Sequence, residues 1–269
     1  MSAALDAQYG QITALLRSRL LAFVTAAFQA SGAYRDADAA AFVEQVLPTV
    51  LGAQAQMGAL TDAYLSQTIG AMLGTAATPA GVSLPEALRG VAPEEVYARP
   101  YRTVWSALAA GKSMTQAVAE GTTRLSQIAS TDLQLARTSA AQQVGQARGG
   151  FSYYRRVLRG SYNCALCTIA STQRYSKERL MPIHPGCDCG IAPIPPGQAA
   201  QQVIDPGLLQ AAHDAVAKGV GRSDAGGRAP DYRDVIVTRE HGEIGPLLAV
   251  RRQNFTGPAQ VPDLPGTAA

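Results

Sequence analysis

Apolar residues recur at spacings of three and four through the first part of the chain. Ile12, Leu15, Leu16, Leu20, Phe23, Val24 and Phe28 keep that rhythm, which predicts a helix over 4–30, closed by Gly32. Asp36 or Asp38 can cap a second helix with Phe42, Val43, Val46, Leu47 and Val50 inward, and Pro48 is expected to kink or interrupt it. A third helix over 53–74 carries Leu60, Tyr64, Leu65, Ile69 and Leu73. Residues 1–74 thus read as a small antiparallel helical bundle. Pro79, Gly81, Pro85, Gly90, Pro93 and Pro100 then break the pattern, so 75–100 reads as a linker with one helical turn at 84–89. A short helix over 101–110 carries Trp105, the single tryptophan, expected to be buried. Ser113 is a cap for a helix over 114–130, with Met114, Val118, Leu125 and Ile128 inward, and another helix follows over 131–148.

The rhythm stops at a cysteine-rich stretch over 161–196. All four cysteines fall here, as Cys164-x2-Cys167, nineteen residues, then Cys187-x-Cys189, with His184 three residues before the second pair. Thiolates and imidazole are the ligands of a tetrahedral zinc ion, and two closely spaced cysteine pairs present them as knuckles. The set offers five donors for four places: four cysteines with His184 outside the shell, or three cysteines with His184. Two disulfides between the pairs are the alternative, and free structural or redox thiols a third. In any of these forms the stretch is a finger. Arg174-Tyr175-Ser176 reads as a turn or short strand, Leu180 to Ile183 approaches the second pair extended, and Ile191 to Pro196 leaves extended.

Residues 201–230 read as a short helix over 208–217 followed by a glycine-rich linker. In 231–269, a strand at 235–238 and another at 247–250 form a hairpin, with an extended proline-containing tail. The fold class expected is therefore mainly α, with a small Cys-rich finger and a short β-hairpin.

Charge changes the picture in one region. The net charge of the whole chain is only +3, but Arg155, Arg156, Arg159, Arg174, Lys177 and Arg179 gather around the finger, with tyrosines interleaved. That combination suits a nucleic-acid backbone or an acidic partner, and also a plain solvated face. Gly111-Lys112-Ser113 is not a phosphate-binding loop, because Ser106 stands where the upstream glycine is needed. No apolar run reaches the ~18–20 residues of a membrane span, and Met1 opens no signal-peptide pattern, so the expectation is a protein made in the cytoplasm with no membrane partner.

Tyr154-Arg-Arg-Val-Leu-Arg-Gly160, Cys-Ala-Leu-Cys, Ser-Thr-Gln-Arg-Tyr, Leu-Met-Pro-Ile-His-Pro-Gly-Cys-Asp-Cys-Gly and Ala-Pro-Ile together resemble the MuF-type head morphogenesis domain of tailed-phage minor capsid proteins. The segment from His241 to Pro258 also resembles the end of such proteins in phages of actinobacteria. The resemblance covers roughly 125–200, with support from 232–258. It implies a MuF-like α+β domain over 101–200 and a minor head protein acting in virion assembly. Its implied partners are the portal and the major capsid or scaffolding protein. Its implied place is the interior of the phage head near the portal.

Two alternatives stand beside that reading. Some proteins of this kind carry the label of capsid maturation protease. Here, however, the chain has no G-x-S-x-G and no H-E-x-x-H, and a closed four-ligand zinc has no open position for water. His213 and His241 stand in no recognisable triad, so the expectation is no enzyme. The other alternative is a DNA-binding accessory protein packaged in the head, read from the basic cluster.

Overall fold

The computed structural model describes residues 3–159, 165–183, 187, 189–198, 200–220, 236–241 and 245–250. It is mainly helical, with a small antiparallel sheet and a cysteine cluster, as the sequence predicts. The order is α1 (Ala3–Gln29), α2 (Asp36–Leu73), α3 (Pro93–Ala109), α4 (Met114–Ala147), β1 (Tyr153–Val157), α5 (Ala165–Ser171), β2 (Arg174–Ser176), β3 (Gly190–Pro193) and α6 (Pro206–Val220). A hairpin of β4 (Ile236–His241) and β5 (Gly245–Val250) follows.

Two of the expected breaks are absent. The second and third predicted helices are one, α2, with Pro48 inside it. An internal proline costs about 3 kcal/mol through a lost hydrogen bond and a ring clash. Continuing the helix buries Val50, Met57, Leu65 and Ile69, at about 1.5–3 kcal/mol each, which outweighs that cost. Likewise the helices expected over 114–130 and 131–148 are the single α4, started by Ser113, whose side chain accepts from the Gln116 N–H in a capping box. α3 begins at Pro93, eight residues before the predicted start, with Pro93 in the first turn and Pro100 inside. Trp105 is half-buried, and its Nε1 donates to the Tyr34 carbonyl at 2.6 Å. α1 also departs from expectation: its segment Ala4–Gln29 is long and apolar enough to cross a membrane, by length and composition alone.

Four helices close one core. Val24 and Phe28 of α1, Phe42 and Val46 of α2, Tyr101 of α3 and Leu125 of α4 are among its buried residues. Phe28 lies edge-on to Tyr34, Phe42 and Tyr101 with ring centroids 5.1–5.7 Å apart. Beneath it sits a buried charged network. Asp132 of α4 accepts from Arg89 Nε at 2.6 Å and from the Tyr97 hydroxyl at 2.8 Å, while Arg89 Nη2 donates to the Ile128 carbonyl at 3.0 Å. Burial raises the Asp132 carboxyl above its ordinary value, against the pull of Arg89 and its hydrogen bonds.

The stretch expected to be a linker is pinned to the body. Gly74 caps α2 in the left-handed conformation. Farther on, the Asp62 carboxylate accepts the backbone N–H groups of Ala80 and Gly81, both at 2.8 Å, and of Val82 at 3.2 Å. Burial alone would raise the Asp62 carboxyl. The three N–H groups and Ser66 override it and hold it below the ordinary range. The sign follows from linkage: a depressed carboxyl contributes stability that is present above its unfolded value, about 3.9, and lost as pH falls through the folded one. Asp62→Asn is expected to cost about 2–3 kcal/mol at neutral pH, since one amide group then faces N–H donors. Urea unfolding checks it: the gap between the two proteins should shrink as pH drops below the carboxylate range.

A second core, smaller, joins the helices to the sheet. It takes Tyr64, Leu65 and Ile69 from α2, Ala141 and Val144 from α4, Tyr154 from β1 and Ile191 from β3. The sheet order is β2-β1-β3, with Tyr154 opposite Tyr175 on one side and Pro193 on the other. The Tyr154 hydroxyl donates to the Ala141 carbonyl at 2.9 Å, which fixes the central strand against α4.

Candidate metal centre

Strand alternation builds one wall of the site. In β1, Tyr154 and Arg156 turn inward and Tyr153, Arg155 and Val157 face out. Arg156 is only 2% exposed, donates to the Met181 carbonyl, and its guanidinium lies 5.6 Å from the Tyr175 ring centre. The other wall is α5, which carries Cys167. Cys187 and Cys189 lead into β3, where Cys189 is fixed from the helical side: Arg137 of α4 donates through Nη1 to its carbonyl at 2.9 Å.

The result is a buried three-thiol cluster. Cys167 Sγ lies 3.3 Å from Cys187 Sγ, Cys187 Sγ lies 3.1 Å from Cys189 Sγ, and all three sulfurs sit within 4.8 Å of one another. Among the described residues, no disulfide joins Cys167, Cys187 and Cys189 to one another. The Cys189 thiol is held well below its ordinary value by the sulfur contacts from Cys167 and Cys187, helped by the charges of Arg156 and Arg137 and opposed by burial. For Cys187 the contact with Cys167 lowers the value, but its bond to Cys189, its burial and the charge on Cys189 together push it well up.

This cluster can hold a metal ion. A tetrahedral thiolate site with metal–sulfur bonds of about 2.3 Å needs sulfurs about 3.8 Å apart, so opening these contacts by roughly half an ångström admits an ion. The two guanidiniums beside it would offset the charge of the bound thiolates. Of the five donors predicted from sequence, Cys167, Cys187 and Cys189 come together. Cys164 and His184 lie outside the described residues.

The predicted basic surface divides. Arg156 is inside, against the thiols. Arg159 is drawn inward as well: it pairs with Asp6 of α1 and lies over the rings of Tyr9 and Tyr64 at 4.7 and 5.3 Å. Arg155 and Arg174 oppose each other across the outer sheet face, where Arg174 stacks on Tyr153 at 4.1 Å. Lys177 donates to the Arg148 carbonyl at 2.7 Å, and Arg179 is exposed. His213 stands on α6 and His241 ends β4.

Arg159 is the second clasp between finger and body. A Cβ built at Gly190 would overlap its Nε and Cζ, so only glycine lets β3 lie against that guanidinium. Gly190→Ala is expected to dislodge Arg159 from Asp6 and to cost about 1–3 kcal/mol by overpacking. Thermal unfolding measures it. The double variant with Arg159→Ala should lose less than the sum of the two singles, because both act on one contact.

The fold and site define a class: a helical body carrying a small sheet and a buried thiol cluster fit for a metal. Nothing narrows this further by likeness, as the chain matches no family model, no curated protein and no solved structure.

Proposed function

We propose that this chain is a minor head protein of a tailed phage. In this reading it is a MuF-type assembly factor that associates with the portal during procapsid formation, with a zinc ion stapling its finger to its helical body. The observation that carries the structural half of the proposal is the burial of Cys167, Cys187 and Cys189 at 3–6% exposure, between α5, β3 and the Arg137 side of α4. Sulfurs so enclosed offer a polypeptide substrate no approach, and they suit an ion that holds elements together. Zinc is the ion favoured by an all-thiolate or thiolate–imidazole donor set, with Cys164 or His184 as the fourth ligand. The phage half rests on the quoted motifs around the finger, and the lack of a G-x-S-x-G or H-E-x-x-H motif in the sequence weighs against the protease alternative.

Mass spectrometry of purified virions of the phage encoding this chain tests the assembly role. A few full-length copies per particle are expected. Absence from particles, together with cleavage of the major capsid precursor by the purified chain, would replace this reading with the protease.

A further inference from the structure

α1 has two faces. One is buried, through Tyr9, Thr13, Leu20, Val24 and Phe28. The opposite face carries Gln8, Ile12, Leu15, Arg19, Ala22 and Ala26, all exposed and spaced alternately by four and three. Ile12 is 38% exposed and Leu15 50%. Alternation of four and three is the seam of a helix that packs lengthwise against other helices, and the two alanines let a neighbouring backbone come close. After Asp6, the only charged residues of α1 are Arg17 and Arg19.

A matching surface exists elsewhere on the chain. A groove of about 910 Å³ runs between the first half of α2 and α3. Its apolar lining includes Val43, Leu47, Leu51 and Trp105. Its charged residues are three carboxylates, Asp36, Glu44 and Glu94, against one guanidinium, Arg102. The groove from Asp36 to Leu51 is about 22 Å long at the helical rise, and the seam from Gln8 to Ala26 is about 27 Å, so the groove can take all of the seam but its first turn. One surface offers Ile12 and Leu15 with the basic charge of Arg19, the other an apolar trough rimmed mainly by carboxylates.

We propose that α1 of one copy of this chain lies in the α2–α3 groove of a second copy. The contact is heterologous, ridge to trough, so each copy keeps one ridge and one trough for further neighbours and the assembly grows into a ring or a chain. Leu15 and Ile12 fill the trough, and Arg19 comes among the carboxylates. This inference is independent of the metal centre.

The test is sedimentation of the full chain over a range of concentrations. The expected result is a weight-average mass that climbs past two chains of 28.0 kDa each. Leu15→Glu spoils the ridge and Ala40→Arg spoils the trough. Both positions are exposed, so circular dichroism should show unchanged helix content. Each variant alone should sediment as a single chain. Mixed together they should form a dimer and stop, because one brings an intact trough and the other an intact ridge. Arg19→Glu should weaken association at low salt and should be rescued in part by Glu44→Arg. A wild-type chain that stays single up to its solubility limit overturns the proposal. So does a mixture of the two variants that fails to pair. Binding of the single chain to phosphatidylcholine vesicles through α1, without self-association, would assign the ridge to lipid instead.

Discussion

Cys187→Ser is expected to abolish metal retention and to lower the thermal midpoint by roughly 8–16 °C. The estimate comes from mass action. An ion present at about a thousand times its dissociation constant stabilises the folded chain by about 4 kcal/mol, and a chain of this size shifts by about 2–4 °C per kcal/mol. Cys187 is in contact with both other sulfurs, so its loss removes a ligand and two contacts at once. A chelator separates the two losses. The wild-type midpoint should fall by most of that interval when chelator is added, and the variant should not respond. The helical body has its own core, so helix content should persist at temperatures where the finger has already opened. A wild-type midpoint indifferent to chelator would leave the cysteines a packing role only. Because thiolate ligands must lose their protons, the chelator-sensitive part of the stability should also fade as pH is lowered.

Asp132→Ala is expected to cost about 3–5 kcal/mol. Its side chain and that of Arg89 are 5% and 4% exposed, so removing the carboxylate strands a guanidinium that water cannot reach. The Tyr97 hydroxyl loses its acceptor in the same step. The cost is one of leaving a charge alone more than of losing an attraction. Arg89→Met combined with Asp132→Leu should therefore recover at least half of it. Urea unfolding of the three proteins measures this. A double variant as unstable as Asp132→Ala would show that the network itself, and not the orphaned cation, supplies the stability.

Much of the fold could be read from the residues, and the failures share a physical cause. The apolar repeat of α1 predicts both of its ends to within one residue, because it runs without interruption. The proline rule predicts a break at Pro48, but the apolar stripe of α2 continues past it and its burial decides. Ser130 and Thr131, residues that favour helix ends, predict a division that α4 does not have. Thr131 satisfies its hydroxyl within the helix instead, donating to the Gln127 carbonyl at 2.7 Å. The clustering of cysteines was legible as chemistry, and three of the five donors do converge. The roles of Arg137 and Arg156 were not. A run of basic residues reads as a surface, and the signal for Arg156 lay in the two-residue alternation of a short strand that places it beside Tyr154 on the inner face. For Arg137 the signal was a lone cation between Leu133, Ala136, Ala140 and Ala141 on an otherwise small, apolar helix face.

The central claim is that the thiol cluster is a metal site. Metal content, with thiols counted in parallel, tests it most directly on full-length protein purified under reducing conditions without chelator. The account predicts about one zinc per chain, and cysteines that react with a thiol reagent only after denaturation or metal removal. Metal-free protein whose four cysteines titrate or pair on oxidation would contradict it.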